Sequence, residues 1–301
     1  MQERTSPLSG IWLPLVTPFR DGELDEASLR RLAAHYAGLP VDGLILAATT
    51  GEGMTLDSGE TARLVAVVAD ATGRRLPLWL GLSGSDTRRM AATMDGTAGW
   101  PVDGYLITCP YYTRPSQAGI VAHFTALAAR TPRPVAVYNI PYRTGVNMIN
   151  ETLLQLAGLP NVVGLKDCCA DPSQSFDLLC RRPAGFAVLT GEDAQFHAAL
   201  AQGADGGILA SAHVETARWA AVRDALTAGE QGRALMLWRD LAGLARLLFA
   251  EPSPAPIKHW LWREGLLASP EVRLPMVGVS EALAARLDAE MQRRGMVAAA
   301  A

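Results

Sequence analysis

Cysteine is scarce in this chain. Four of its 301 residues, at positions 109, 168, 169 and 180, fit neither a secreted disulfide framework nor a zinc site. No apolar run reaches the roughly 18 residues that a membrane helix needs. The opening Met1-Gln2-Glu3-Arg4-Thr5 has no secretory apolar segment. Lysine and arginine (27) nearly balance aspartate and glutamate (30), with no basic run and no basic stripe between aromatics, so nucleic acid is excluded as the expected partner. The five histidines, at 35, 123, 197, 213 and 259, show no His-x-x-x-His or other ligand spacing, and no metal is assigned. No Walker phosphate loop occurs, and no Gly-x-Gly-x-x-Gly opens a helix after the first strand. These absences leave a reduced, cytoplasmic, globular protein.

What is present is a regular alternation. The composition is 49% hydrophobic and 19% charged, ordinary for a globular domain. Short apolar runs at 12–17, 43–48, 77–80, 104–108, 135–139, 162–166, 187–190 and 206–209 read as strands. They are near-continuously apolar rather than alternating, as expected of strands covered on both faces. Between them lie amphipathic stretches at 25–38, 58–72, 86–99, 116–130, 150–158, 173–181 and 193–203. Most open on Asp, Ser or Asn, whose side chains accept from the free N–H groups of a first helical turn, and several close on Gly. Eight strand–helix units in one chain predict a closed (β/α)8 TIM barrel of the α/β class, with an open doubly wound sheet as the alternative. After residue 214 only helices are expected, at 215–228, 230–250, 257–267 and 280–294. The barrel is therefore placed at 1–228 and a C-terminal helical appendix at 229–301. The alanine-rich tail 298–301 is expected to fray.

In such a barrel the chemistry gathers at the C-terminal ends of the strands. Lys166 ends the sixth strand there. Burial would pull its ammonium towards the neutral amine, which attacks carbonyls to form a Schiff base. The plainer reading is a strand-end lysine whose stem packs and whose head reaches water. The rest of the rim tips the balance. Ala48-Thr49-Thr50-Gly51-Glu52-Gly53 offers hydroxyls and backbone N–H groups that could cradle a carboxylate. Tyr138 ends the preceding strand and could relay protons. An amine, a phenol and a carboxylate cradle are the parts needed to activate a 2-oxo acid.

These residues carry a resemblance. Thr49-Thr50-Gly51-Glu52, Tyr138-Asn139-Ile140-Pro141 and Gly164-Leu165-Lys166 fall in order at strand ends. With them the chain resembles the pyruvate-dependent class I aldolase/lyase family of dihydrodipicolinate synthase and N-acetylneuraminate lyase. The likeness runs from Val16-Thr17-Pro18-Phe19 to Arg273-Leu274-Pro275-Met276, and the synthase branch is the nearer one. Arg143, the loop Pro110-Tyr111-Tyr112-Thr113-Arg114-Pro115 and Glu251-Pro252-Ser253-Pro254-Ala255-Pro256-Ile257-Lys258 are similar to that branch. The resemblance implies that Lys166 forms an imine with pyruvate and that Tyr138 relays protons. It implies that Thr49 links Tyr138 to Tyr112, which reaches into a neighbouring subunit's site. Thr50 and Gly51 would hold the pyruvate carboxylate, Ile208 would line that pocket, and Arg143 would receive the carboxylate of L-aspartate 4-semialdehyde. No cofactor beyond the covalent imine is implied, and the expected assembly is a homotetramer, a dimer of dimers.

The chain also departs from that pattern. Ala48 replaces a usual glycine, Asp167-Cys168-Cys169 follows the lysine, and His213 stands where the family usually has asparagine. Ser58, Thr61, Ser85 and Arg89 replace residues that help the feedback-regulated members bind inhibitory lysine, so insensitivity to L-lysine is expected. Two other readings stay open: a family lyase acting on a sugar acid or other 2-oxo acid, and a barrel that binds an oxo acid without catalysis.

Overall fold

The structure is a computed structural model that describes residues 6–169 and 171–296. The alanine tail lies outside the described residues. Eight parallel strands close into a barrel: β1 (Gly10–Pro14), β2 (Gly43–Leu46), β3 (Leu78–Leu82), β4 (Gly104–Thr108), β5 (Val135–Asn139), β6 (Val162–Asp167), β7 (Ala187–Thr190) and β8 (Gly206–Ile208). The ring closes where β1 pairs with β8 on one side, Gly10 against Gly206, and with β2 on the other, Trp12 against Gly43. The open-sheet alternative is thereby excluded. The first strand starts and ends earlier than expected because its end is diverted. Leu15 N–H still donates to Ile45 in β2, but Val16 N–H turns to the His213 ring.

The strands are flanked by α1 (Glu26–Tyr36), α2 (Ser58–Thr72), α3 (Thr87–Gly96), α4 (Gln117–Ala128), α5 (Asn150–Ala157), α6 (Pro172–Arg181), α7 (Phe196–Ala201) and α8 (Thr216–Thr227). The capping reading holds at Asp25, Asp86 and Ser116, each of which accepts from an N–H of the first turn, whereas the caps of α2 and α6 are Asp57 and Asp171 rather than Ser58 and Ser173, and Asn150 is no cap. It fails at 193. Residues Asp193–Gln195 form a 3-10 turn, and the Asp193 carboxylate accepts instead from Ser211 N–H at 2.5 Å. Three more helices follow: α9 (Gln231–Leu248), α10 (Ala255–Arg263) and α11 (Glu281–Arg293). A small hairpin, Phe19–Arg20 with Glu23–Leu24, was not expected from the sequence. No helix among the described residues is long and apolar enough to cross a membrane.

Two apolar layers hold the fold. The larger lies between strands and helices, and a smaller one fills the barrel with Trp12, Ile45, Trp79, Leu106, Ala136, Leu189 and Ile208. Trp12 and Trp79 meet edge to face at 5.5 Å. Two glycines make room for them: a Cβ on Gly43 would strike the Trp12 ring, and one on Gly104 would lie 2.5 Å from Trp79. Side chains alternate between the faces of a strand. The period that turns Ala136 inward also turns Tyr138 inward, two residues further along β5.

Candidate functional site

Lys166 and Tyr138 are partners across the β5–β6 ladder. The Lys166 Nζ stands 4.4 Å from the centre of the Tyr138 ring. Lys166 is 5% exposed, so the sequence's plainer reading, a head in water, does not describe it. Burial is the largest influence on its amine and lowers its pKa below the ordinary lysine value. Glu192 and Asp193 work against that shift and Arg143 adds to it. Burial also holds the Tyr138 phenol and the Cys168 thiol well above their usual values, so both stay neutral. Cys168 is thus an uncharged side chain packed beside the amine. Asp193 is buried as well, and desolvation pushes its carboxyl up to about 6.

A narrow cavity of about 30 Å3 opens over Lys166, lined among others by Thr49, Thr50, Tyr138, Arg143, Asp193 and Ile208. The loop after β2 shapes one wall. Glu52 N–H donates to Thr49 O at 3.1 Å and Gly53 N–H to Ala48 O at 3.2 Å, while Gly51 O accepts from the Thr17 hydroxyl at 2.6 Å. Among the described residues the N–H groups of Thr50 and Gly51 have no intramolecular acceptor, and both residues are buried. Unpaired buried donors are rare, and these two follow one another in the loop whose Thr49 and Thr50 line the cavity over Lys166. Gly81 on β3 lets the backbone at Ala48 approach closely: a Cβ there would lie 2.8 Å from Ala48 Cα.

Across the mouth, the Tyr142 hydroxyl donates to Glu192 Oε1 at 2.9 Å, tying the loop after β5 to the loop after β7. Arg143 is exposed beside it, its guanidinium 5.8 Å from the Tyr142 ring. The fold therefore brings six of the eight residues singled out from sequence to this cavity: Lys166, Tyr138, Thr49, Thr50, Arg143 and Ile208. Gly51 follows Thr50 in the same loop but does not line it. Tyr112 stands apart. It is 91% exposed, with a left-handed backbone (φ 68°), and does not line the cavity. Among the described residues neither Thr49 nor Tyr112 hydrogen-bonds the Tyr138 phenol, so the relay is not joined within one chain.

Sequence reasoning left out several neighbours. Glu192 and Asp193 carried a usable signal, since they follow the seventh strand on the catalytic rim. Tyr142 lies beside Arg143 but reads as an ordinary loop aromatic. Phe249 and Ser253 also line the cavity, and they come from the C-terminal helical region, where nothing in the sequence pointed at the rim. The His213 departure has a local explanation. The ring is buried, Nδ1–H donates to Ala210 O at 2.8 Å, and Nε2 accepts from Val16 N–H at 3.3 Å. Burial lowers its pKa to about 4, so it stays neutral and bridges the loop after β8 to the end of β1. A larger cavity, about 530 Å3, lies elsewhere, beside α2 and α3. Its lining includes Ser58, Thr61, Leu82 and Trp100 but no lysine or arginine, so the chemistry belongs to the smaller one.

A closed parallel barrel with a desolvated amine at its catalytic rim defines a class, the Schiff-base-forming barrel lyases. Within that class the chain belongs to the dihydrodipicolinate synthetase family, whose sequence model matches residues 7–294. It is 41% identical over 281 residues to 4-hydroxy-tetrahydrodipicolinate synthase 2 of Clostridium acetobutylicum, covering 93% of this chain and 98% of that protein. The crystal structure of dihydrodipicolinate synthase from Aquifex aeolicus superposes with a TM-score of 0.93 at 27% identity, covering 97% of this chain and 100% of the other. A lysine-bound structure of the enzyme from Cyanidioschyzon merolae gives a TM-score of 0.92 at 31% identity, over 97% and 100% of the two chains.

Proposed function

We propose that this chain condenses pyruvate with L-aspartate 4-semialdehyde to give 4-hydroxy-tetrahydrodipicolinate, through an imine on Lys166. The observation that carries this is the Lys166 amine, buried and 4.4 Å from the Tyr138 ring, in a cavity it shares with Thr50 and an exposed Arg143. The names of the relatives support the choice of substrates.

The pyruvate carboxylate docks on the N–H groups of Thr50 and Gly51, with Ile208 as an apolar wall. This sets the keto carbon over the amine, and holding the two together replaces a bimolecular encounter. The neutral amine adds to C2, Tyr138 passes a proton to the departing oxygen, and water leaves. Loss of a proton from C3 gives the enamine. Its C3 attacks the aldehyde carbon of the second substrate, whose carboxylate pairs with Arg143. The amino group of that substrate then attacks C2, closes the ring and frees Lys166. Arg143 favours this second substrate over a neutral aldehyde, because a guanidinium matches a carboxylate with two parallel hydrogen bonds. The protein itself supplies the groups for every step, with no cofactor.

The same reading makes the protein a homotetramer, a dimer of dimers in which Tyr112 completes a neighbour's proton relay. Its 91% exposure in the single chain supports that role. The test is a coupled assay offering pyruvate with aspartate semialdehyde, and separately with sugar aldehydes. Turnover of the first pair alone is the expected result. Turnover of sugar aldehydes alone would overturn the choice of second substrate.

A further inference from the structure

The buried pair Lys258–Glu52 has no part in the chemistry above. Lys258, on α10, is 0% exposed and Glu52 4% exposed. The Lys258 ammonium donates to Glu52 Oε1 at 2.5 Å and to Glu271 O at 2.6 Å, and it lies 4.3 Å from the centre of the Phe19 ring. Three donors thus have three receivers. The second carboxylate oxygen of Glu52 accepts from Arg273 N–H at 2.9 Å. Both oxygens are spoken for by the C-terminal region, and Glu52 does not line the cavity over Lys166.

The backbone explains why such a grip is needed. Glu52 has φ 52° and ψ 33°, a left-handed conformation that a side-chain-bearing residue adopts only when its surroundings hold it there. The kink follows directly on Thr50 and Gly51, the two residues whose N–H groups point at no internal acceptor. Arg273 adds a second attachment: its guanidinium lies 4.2 Å from the centre of the Phe19 ring and donates to Thr55 O at 3.1 Å and to Glu60 of α2 at 2.5 Å. Burial draws the Lys258 pKa down to about 8, which leaves its ammonium charged at neutral pH.

We infer that Lys258 and Glu52 are positioning residues for pyruvate: through them the C-terminal helices latch the loop at 49–53 in the kinked form that aims two N–H groups at the substrate carboxylate. This rests on the proposed pyruvate site. The geometry makes a distinct demand on kinetics. Loss of the latch should weaken pyruvate capture without disturbing the aldehyde side, where Arg143 stands on a different loop.

The test compares Lys258→Met, Lys258→Arg and Glu52→Gln in the full chain. For Lys258→Met and Glu52→Gln the KM for pyruvate is expected to rise at least tenfold, with the KM for aspartate semialdehyde within twofold of the parent. Lys258→Arg, which keeps the charge, should recover part of the loss. Amide hydrogen exchange at 49–53 should quicken in the same two variants, a readout independent of which substrate is used. A lowered melting temperature with unchanged pyruvate KM and unchanged exchange at 49–53 would make the pair merely structural and overturn the inference. If Lys258→Met does not fold, Glu52→Gln, which preserves shape, decides by the same criteria. Faster exchange with no pyruvate turnover even in the parent chain would leave the latch standing and overturn the pyruvate site instead.

Discussion

Gly191 offers a sharp perturbation of the amine without touching it. The residue follows β7 and faces Lys166 and Cys168. A Cβ built on it would lie 2.5 Å from Lys166 Cε and closer still to Cys168 Sγ. Its φ is not in the left-handed region, so the backbone itself tolerates alanine. Ordinary contact begins near 3.4 Å. In Gly191→Ala the lysine stem must therefore retreat by roughly 0.9 Å, and a misplacement of about 1 Å can cost about 100-fold in rate. The stem is flexible, so the stability cost should stay near the low end for overpacking, about 1 kcal/mol. The expected result is a variant that melts within a few degrees of the parent but forms the borohydride-trapped pyruvate adduct about 100-fold more slowly. Trapping at the parental rate would show that the amine has slack and refute the argument that packing aims it.

Arg143→Met should lower kcat/KM for aspartate semialdehyde by about 10- to 150-fold, the loss of about 1.5–3 kcal/mol of charged hydrogen bonding, with pyruvate trapping unaffected; a drop in trapping would move Arg143 to the pyruvate side. Sub-millimolar L-lysine should leave turnover unchanged, because Arg89, 87% exposed in its side chain, stands where the resemblance implies a lysine-binding residue, and its cation would repel the two ammonium groups of the ligand; inhibition in a steady-state assay would contradict this. Stability should fall on acidification. Burial lowers the pKa of His213 and of His123 from 6.5 to about 4, so between those values the unfolded chain binds more protons, and each histidine contributes about 3 kcal/mol above pH 6.5 that is lost by pH 4. Asp193, raised from 3.8 to about 6, works the other way, its contribution being present below pH 3.8 and lost as pH rises through 6, which offsets one histidine. Urea unfolding at pH 7 and pH 4.5 checks the balance, and a His213→Asn variant with the parental acid slope would contradict it.

The barrel was legible because its signals are local. Near-continuous apolar runs of four to six residues, Asp and Ser at helix starts, and a repeat the length of a βα unit each have a physical cause that sequence exposes. Lys166 and Tyr138 were legible for the same reason, since the strand ends place them on one rim. The misses share a different origin. Asp193 resembles a helix cap, yet its carboxylate went to Ser211 in the loop after the neighbouring strand, a partner 18 residues away that no local pattern announces. Lys258 read as part of the helix expected at 257–267 and of a stretch similar to the synthase branch. That its ammonium reaches Glu52, 206 positions earlier, depends on how the last helices fold back over the barrel. Phe249 and Ser253 reached the cavity by the same route.

The central claim is that Lys166 is the imine-forming amine. Pyruvate with borohydride, followed by proteolysis and mass spectrometry, tests it most directly. The account predicts one reduced pyruvate adduct per chain, on the peptide bearing Lys166, and none in Lys166→Met. An adduct on another lysine, or turnover that persists in Lys166→Met, would contradict it.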